Sequence, residues 1–122
     1  MIGSTSLTAG GANHSVQIWM ATAPVDMRRS FDGLAEHVRA FLGHDPLCGH
    51  MFVFRNRTGE RLKILWWDRN GLVLYYKRLE KGTFRFPSID PSSGQKCLTL
   101  DGNQLLHLLA GSQIVQRTAA AE

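Results

Sequence analysis

Between Met51 and Pro87 the chain carries nine cations, Arg55, Arg57, Arg61, Lys63, Arg69, Lys77, Arg78, Lys81 and Arg85, against three anions, Glu60, Asp68 and Glu80. The excess of six in this stretch is larger than the net charge of the whole chain, +4, so the remaining residues are net negative. The same stretch holds Trp66, Trp67, Tyr75 and Tyr76. Lysine and arginine position phosphates, and exposed aromatic rings stack on unpaired bases for about 1–3 kcal/mol each. The nine cations are therefore candidate nucleic-acid contacts, with Trp67 and Tyr76 as candidate stackers. Structural duties compete for the same residues. Charges keep strand edges from aggregating, long cationic stems cover apolar surface, and mid-strand Trp and Tyr commonly face a core.

Other chemistry is thin. His44, Cys48 and His50 are close enough to share a metal, but zinc sites usually draw four ligands from two paired clusters, and no second cluster exists. His14, His37 and Cys97 are scattered. Asp26, Asp32, Asp45, Asp68 and Asp101 show no acid–base pairing, and turns or caps account for Asp26, Asp68 and Asp101. Nucleophile elbows, phosphate-binding glycine loops and the HEXXH pattern are absent. No catalytic residue, metal or cofactor is expected. The remaining enzymatic alternative is a nuclease-like role for Asp26 or Asp68.

The elements that must hold these side chains fit one domain, since 122 residues lie in the common single-domain range. A 43% hydrophobic content supports a core, and a pI near 9.5 favours anionic partners without identifying one. Two cysteines are too few for a disulfide scaffold. The first residues lack the pattern of a signal peptide, and no run approaches the roughly 18 apolar residues of a membrane span. These features predict a soluble cytoplasmic protein with reduced thiols. Residues 1–15, rich in Gly, Ser, Thr and Ala, read as a disordered extension, 16–111 as the domain, and 112–122 as a flexible tail.

Alternation from Val16 to Thr22 predicts a short strand. Phe31, Leu34, Val38, Phe41 and Leu42 then share one helical face, with Asp26 or Ser30 as N-cap, Gly43 as a left-handed C-cap and Pro46 beyond. Four strands follow, Met51–Arg57, Arg61–Asp68, Leu72–Leu79 and Thr83–Phe86. They are separated by Thr58-Gly59, Asn70-Gly71 and Lys81-Gly82, which is the signature of a meander. If Asn70 and Gly71 are the central turn residues, Trp67 faces Leu74, Leu65 faces Tyr76 and Lys63 faces Arg78. A slip of two keeps these faces, and a slip of one swaps them. Directly opposed like charges are mildly destabilising, so Lys63 and Arg78 would profit from an anion between them. Charge reversal at those two residues should then weaken nucleic-acid binding without unfolding the domain. Pro87–Gly94 reads as a loop. A second helix follows from an Asp101 N-cap to a Gly111 stop, with Leu105, Leu106, Leu108 and Leu109 buried. The fold class is α+β: one domain, an antiparallel meander of four or five strands, one main helix and a short C-terminal helix.

Three segments, PVDMRRSFDGLAEHV (Pro24–Val38), GHMFVFRNRTGERLKILWWDRNGLVLYYKRLEKGTFRFP (Gly49–Pro87) and LTLDGNQLLHLLAG (Leu98–Gly111), resemble the TnpB-type accessory protein of the IS-sixty-six insertion sequences. That protein is the product of the element's second reading frame and is unrelated to the larger RNA-guided nuclease of the same name. The resemblance covers about residues 16–111; the segment before Val16 departs from the compact members. It implies a role in bacterial DNA transposition beside a separate, larger transposase that bears the DDE carboxylates. It supplies no catalytic residues, because none are assigned in the family. The expectation is a non-catalytic accessory protein that contacts element DNA through a basic antiparallel sheet. The alternative is a protein-interaction adaptor that docks on the transposase without touching DNA. Expected partners are nucleic acid of the element, the transposase and other element-encoded proteins, with no membrane and the oligomeric state left open.

Overall fold

Leu62, Ile64 and Trp66 alternate with Lys63, Leu65 and Trp67, so this strand presents large apolar side chains to both faces and needs cover on both. A computed structural model, which describes residues 15–111, has that arrangement. The predicted C-terminal tail and nearly all of the predicted N-terminal extension lie outside the described residues. Five strands, β1 (Ile18–Ala21), β2 (Met51–Arg55), β3 (Arg61–Asp68), β4 (Gly71–Arg78) and β5 (Cys97–Leu100), form one sheet ordered β4-β3-β2-β1-β5. Helix α1 (Phe31–His37) runs on into a π-helical turn at Val38–Leu42, and helix α2 (Gly102–Ala110) follows β5. The α1 side buries Leu34, Val38 and Leu42 against Phe52, Phe54 and Leu65. The α2 side buries Leu108, with Phe84, against Met20, Val53, Leu62 and Ile64. The expected class, α+β with a main helix and a short C-terminal helix, is the observed one.

The sheet is mixed rather than wholly antiparallel. β2, β3 and β4 form the expected antiparallel meander, but β1 pairs parallel with β2 and antiparallel with β5. A parallel pair needs a crossover of a dozen or more residues, and the stretch carrying α1 supplies it. Thr83–Phe86 is not a strand. It crosses the β2–β3 turn instead, where the Phe84 N–H donates to the Gly59 carbonyl at 2.9 Å and the Phe84 ring is buried. The β3–β4 register is slipped by two from the sequence-based one: Lys63 lies opposite Tyr76, Leu65 opposite Leu74 and Arg61 opposite Arg78. The turn therefore centres on Arg69 and Asn70. Arg69 takes a positive φ of 57°, and the Asn70 N–H bonds the Asp68 carbonyl at 2.5 Å, a γ-type closure.

Both helices depart from their predicted faces by a residue or two. Phe31, at the first position of α1, is exposed, and so is Phe41, because the π turn shifts the helical phase so that Leu42, not Phe41, points inward. Gly43 is the left-handed C-cap (φ 76°), as expected. Ser30 occupies the N-cap position of α1 without a side-chain cap bond, and Asp26 accepts from the Arg28 N–H instead. In α2, Asp101 and Gln104 form a reciprocal capping box of 2.7 and 2.8 Å. Leu105, Leu108 and Leu109 turn to the sheet, whereas Leu106 is 65% exposed. It lies about 100° around the helix from Leu105.

Candidate nucleic-acid interface

The β2–β3 turn is built by Asn56, whose Oδ1 accepts from the N–H groups of Gly59 and Arg61, both at 3.0 Å. The chain after β4 returns across it: the Leu79 N–H donates to the Glu60 carbonyl at 2.9 Å, beside the Phe84–Gly59 bond. Gly59 has φ +83°, and a Cβ there would sit 3.5 Å from Thr83. These bonds fix Arg57 and Arg61 relative to Arg78 and Glu80. Arg61 and Arg78 are direct cross-strand partners at the start of β3 and the end of β4, on the same face as the next pair, Lys63 and Tyr76.

Two adjoining recesses meet at Arg61. A cleft of about 450 Å³ lies between Pro24–Met27 and Asn56–Thr58, bounded by Arg57, Arg61 and Asp26. A shallower one of about 290 Å³ is lined by Arg61, Tyr76, Arg78 and Glu80. The Arg61 guanidinium donates to the Tyr76 hydroxyl at 2.6 Å and lies 3.9 Å from Glu60. Arg78 pairs with Glu80 at 3.3 Å. The Thr58 hydroxyl hydrogen-bonds Glu60, which together with a backbone bond holds that carboxyl below its ordinary range. Asp26 is gripped by the Arg28 guanidinium and N–H, which lower its pKa to about 2.

The eleven sequence candidates separate into three groups. Lys63 is the largest departure. It is 4% exposed, and its Nζ donates to the carbonyls of Met27 (2.8 Å) and Arg29 (2.6 Å) while lying 4.5 Å from the Tyr76 ring centroid. It braces the Pro24–Ser30 loop from beneath and lies opposite Tyr76 rather than Arg78, so reversal of its charge would strike the core. Arg55 is half-buried, donates to the Thr22 carbonyl at 2.7 Å and packs over Phe86. Its burial pushes the guanidinium pKa down, and its Nε is buried without a protein partner. Lys77 donates to the Leu109 carbonyl at 2.8 Å, capping the C-terminal turn of α2. These three cations serve the fold.

Arg57, Arg61, Arg78 and Tyr76 come together at the recesses, with Tyr76 47% exposed. Arg69, Trp67, Lys81 and Arg85 do not join them. Arg69 caps the far end of the β3–β4 hairpin and pairs with Asp68 at 3.5 Å. Seven residue steps along β3 separate Asp68 from Arg61, about 24 Å. Trp67 is partly buried near that same far end, opposite Leu72. Lys81 is exposed in the turn after β4, and Arg85 lines a separate recess of about 230 Å³ with Gln104 and His107 on the α2 side. The same separation keeps Asp68 from Asp26, which borders the Arg61 cleft, so the two do not form a carboxylate pair.

The sequence did not single out Glu80 as a partner of Arg78, or the Pro24–Met27 loop as a wall of the site. Only the bracing of that loop by Lys63 reveals the second, and no local pattern encodes it. The His44 ring packs tilted against Trp19 with centroids 4.4 Å apart, and His50 Nδ1 accepts from the Gln17 N–H at 3.0 Å, so both imidazoles are engaged in packing and bonding. Among the described residues, no helix is long and apolar enough to cross a membrane.

A family model described as "IS66 Orf2 like protein" matches residues 16–119. The chain is 39% identical over 100 residues to the uncharacterized protein y4hO of Sinorhizobium fredii, covering 82% of this chain and 84% of that one. It is 43% identical over 79 residues to the uncharacterized protein y4jC of the same organism, covering 65% and 68%. No solved structure matches the chain.

Proposed function

The chain belongs to the IS66 Orf2-like family, insertion-sequence accessory proteins, and from that premise we propose that it is a non-catalytic factor of transposition that contacts nucleic acid of the element. The observation that carries this reading is the convergence of Arg57, Arg61 and Arg78 around two open recesses at one end of the β3–β4 hairpin. Guanidiniums suit phosphate because their planar fork donates two parallel hydrogen bonds. The recesses are open to solvent and do not enclose a ligand, which fits a strand passing over the surface rather than an engulfed substrate. Tyr76, half-exposed beside them, is the aromatic surface available to a base.

The test is a salt titration of binding to a labelled DNA, followed by fluorescence anisotropy. Three neutralised phosphates predict that log K falls by about 2.7 per decade of salt on duplex and about 2.1 on a single strand. R57Q should reduce that slope by about one phosphate's worth. Binding that is absent at low salt, or flat with salt, would leave the protein as an adaptor that acts on the transposase alone. Retention of the transposase in a pull-down under those conditions would then identify that role.

A further inference from the structure

We infer that the recess lined by Arg61, Tyr76 and Arg78 is the seat of one phosphodiester of a nucleic-acid strand, and that the Glu80 carboxylate holds Arg78 until the strand displaces it. This rests on the nucleic-acid reading above and gives that site a specific anion seat and an internal competitor.

Arg61 and Arg78 are direct cross-strand partners on one face. Two like charges in that position destabilise an antiparallel pair unless an anion lies between or beside them. The fold answers with two neighbouring carboxylates, and they are held very differently. Glu60 is bound by the Thr58 hydroxyl and stands 3.9 Å from Arg61, so it contributes charge without a close hydrogen bond to that guanidinium. Glu80 reaches Arg78 at 3.3 Å from just beyond the end of β4, with its side chain 83% exposed. Of the two, it is the one that can leave. Lining the recess, its carboxylate takes up on Arg78 the hydrogen-bonding position that a phosphate oxygen would use.

Tyr76 supplies the third contact. Its hydroxyl accepts a hydrogen bond from Arg61 Nη1 at 2.6 Å, which leaves its own hydrogen to donate to an anion. The ring is held in place by the buried Lys63 ammonium on one side. Two guanidiniums and one hydroxyl therefore line a single recess. With Glu80 in place the four lining side chains sum to +1, and with it displaced the receptor carries +2. Phosphate, with more acceptor oxygens than a carboxylate, uses all three donors at once.

The experiment is a double-mutant cycle on the full chain. The variants are E80Q, R78Q and R78Q/E80Q, with R61Q as a further single, and the probe is a fluorescein-labelled 20-nucleotide DNA in about 0.1 M salt. R61Q and R78Q should each weaken binding about 5-fold, the loss of one phosphate contact at this salt. E80Q should tighten binding about 2- to 5-fold, the range spanned by exposed ion pairs of this kind. The gain from E80Q should vanish in the R78Q background, because Glu80 acts by occupying Arg78. An equal gain in both backgrounds would mean long-range repulsion and would overturn the displacement, as would no gain in either. Titration with inorganic phosphate and with a glutamate oligomer at matched ionic strength separates the possible sources of the anion. Displacement of the DNA only at high millimolar phosphate supports a strand phosphodiester. Saturation by micromolar phosphate, or equal competition by the glutamate oligomer, overturns it in favour of a free anion or an acidic protein segment. If the unmodified chain binds no DNA at low salt, the broader nucleic-acid reading fails. If it binds but the cycle shows no coupling, only this inference fails.

Discussion

Replacing Lys63 with methionine should destabilise the domain by about 2–3 kcal/mol, although lysine to methionine keeps length and adds apolarity at a buried position. The ammonium donates to two part-buried carbonyls, Met27 at 2.8 Å and Arg29 at 2.6 Å, and sits against the Tyr76 ring. A part-buried acceptor left without a donor costs about 1–3 kcal/mol, and there are two. A cation–π contact adds about 0.5–1 kcal/mol. Against these stands the desolvation of a charged group, which the methionine no longer suffers, and the relaxation of the loop toward water. The net loss is the smaller number given above, equivalent to a fall in Tm of roughly 8–20 °C for a domain of this size. Urea unfolding followed by tryptophan fluorescence measures it directly. Amide hydrogen exchange should show faster opening at Arg29 and Leu34, whose N–H groups bond the carbonyls of Asp26 (3.1 Å) and Ser30 (2.8 Å). A K63M protein within about 0.5 kcal/mol of the parent, with unchanged exchange at those amides, would refute the bracing role.

Two further outcomes follow from local geometry. His37 stacks on Phe41 at 5.0 Å and lies 3.3 Å from the Arg29 guanidinium, so burial first and the Arg29 charge second hold its pKa below the ordinary 6.5. The unfolded chain therefore takes up the proton first as pH falls. The contribution to stability is complete above pH 6.5 and is lost as pH drops toward the folded value, so Tm measured at pH 7.5 and 5.5 should differ more for the parent than for H37Q. Arg69 holds a φ of 57° in the β3–β4 turn, a conformation that costs side-chain-bearing residues about 1–2 kcal/mol and glycine almost nothing. After the entropy that glycine adds to the unfolded chain, R69G should raise stability by about 0.5–1 kcal/mol in urea unfolding. Because Arg69 is at the hairpin's far end, DNA binding should stay within about 2-fold, and a loss of stability would contradict the strained-turn reading.

How much of this was legible in the sequence depends on the range of the interaction. β3 is legible to the residue, because Arg61–Asp68 is a β-rich run bounded by turn signals at both ends. The Asp101 cap and the Gly111 stop were legible for the same reason: capping is a matter of three or four neighbouring residues. The β3–β4 faces were right and the register was off by two, since the Asn-Gly signal names the turn without saying which residue leads it, and here Arg69 takes the positive φ. Thr83–Phe86 looks like a strand in isolation. Its alternation reflects Phe84 burying itself over the β2–β3 turn, a contact 25 residues back along the chain. The roles of individual cations were the least legible. Lys63 and Arg61 are two residues apart on one face of one strand, yet one is buried under a loop and the other opens onto a recess. What separates them is where α1 and its preceding loop lie on the sheet, which no pattern within β3 specifies.

The sheet order places β4 at an edge, and cations on an edge strand have an ordinary use in deterring strand-to-strand aggregation. That use accounts poorly for the cations found here. Lys77 turns toward α2 and is spent on the Leu109 carbonyl. Arg78 turns to the other face, directly opposite Arg61, where it raises the repulsion within the sheet it would be guarding. Edge protection requires a charge that points outward and is indifferent to what stands opposite; an opposed guanidinium pair repels itself in the free protein, offset only by Glu60 and Glu80 nearby. An anion reverses the sign of that cost, because the nearness that makes the two arginines repel lets both contact one phosphate. The site then has a stability signature distinct from edge protection. R61Q removes the opposed charge together with the guanidinium bond to the Tyr76 hydroxyl, so the free protein should stay within about 1 kcal/mol of the parent while DNA binding weakens. A clear loss of stability in R61Q would assign the pair to the fold and remove its claim to a ligand.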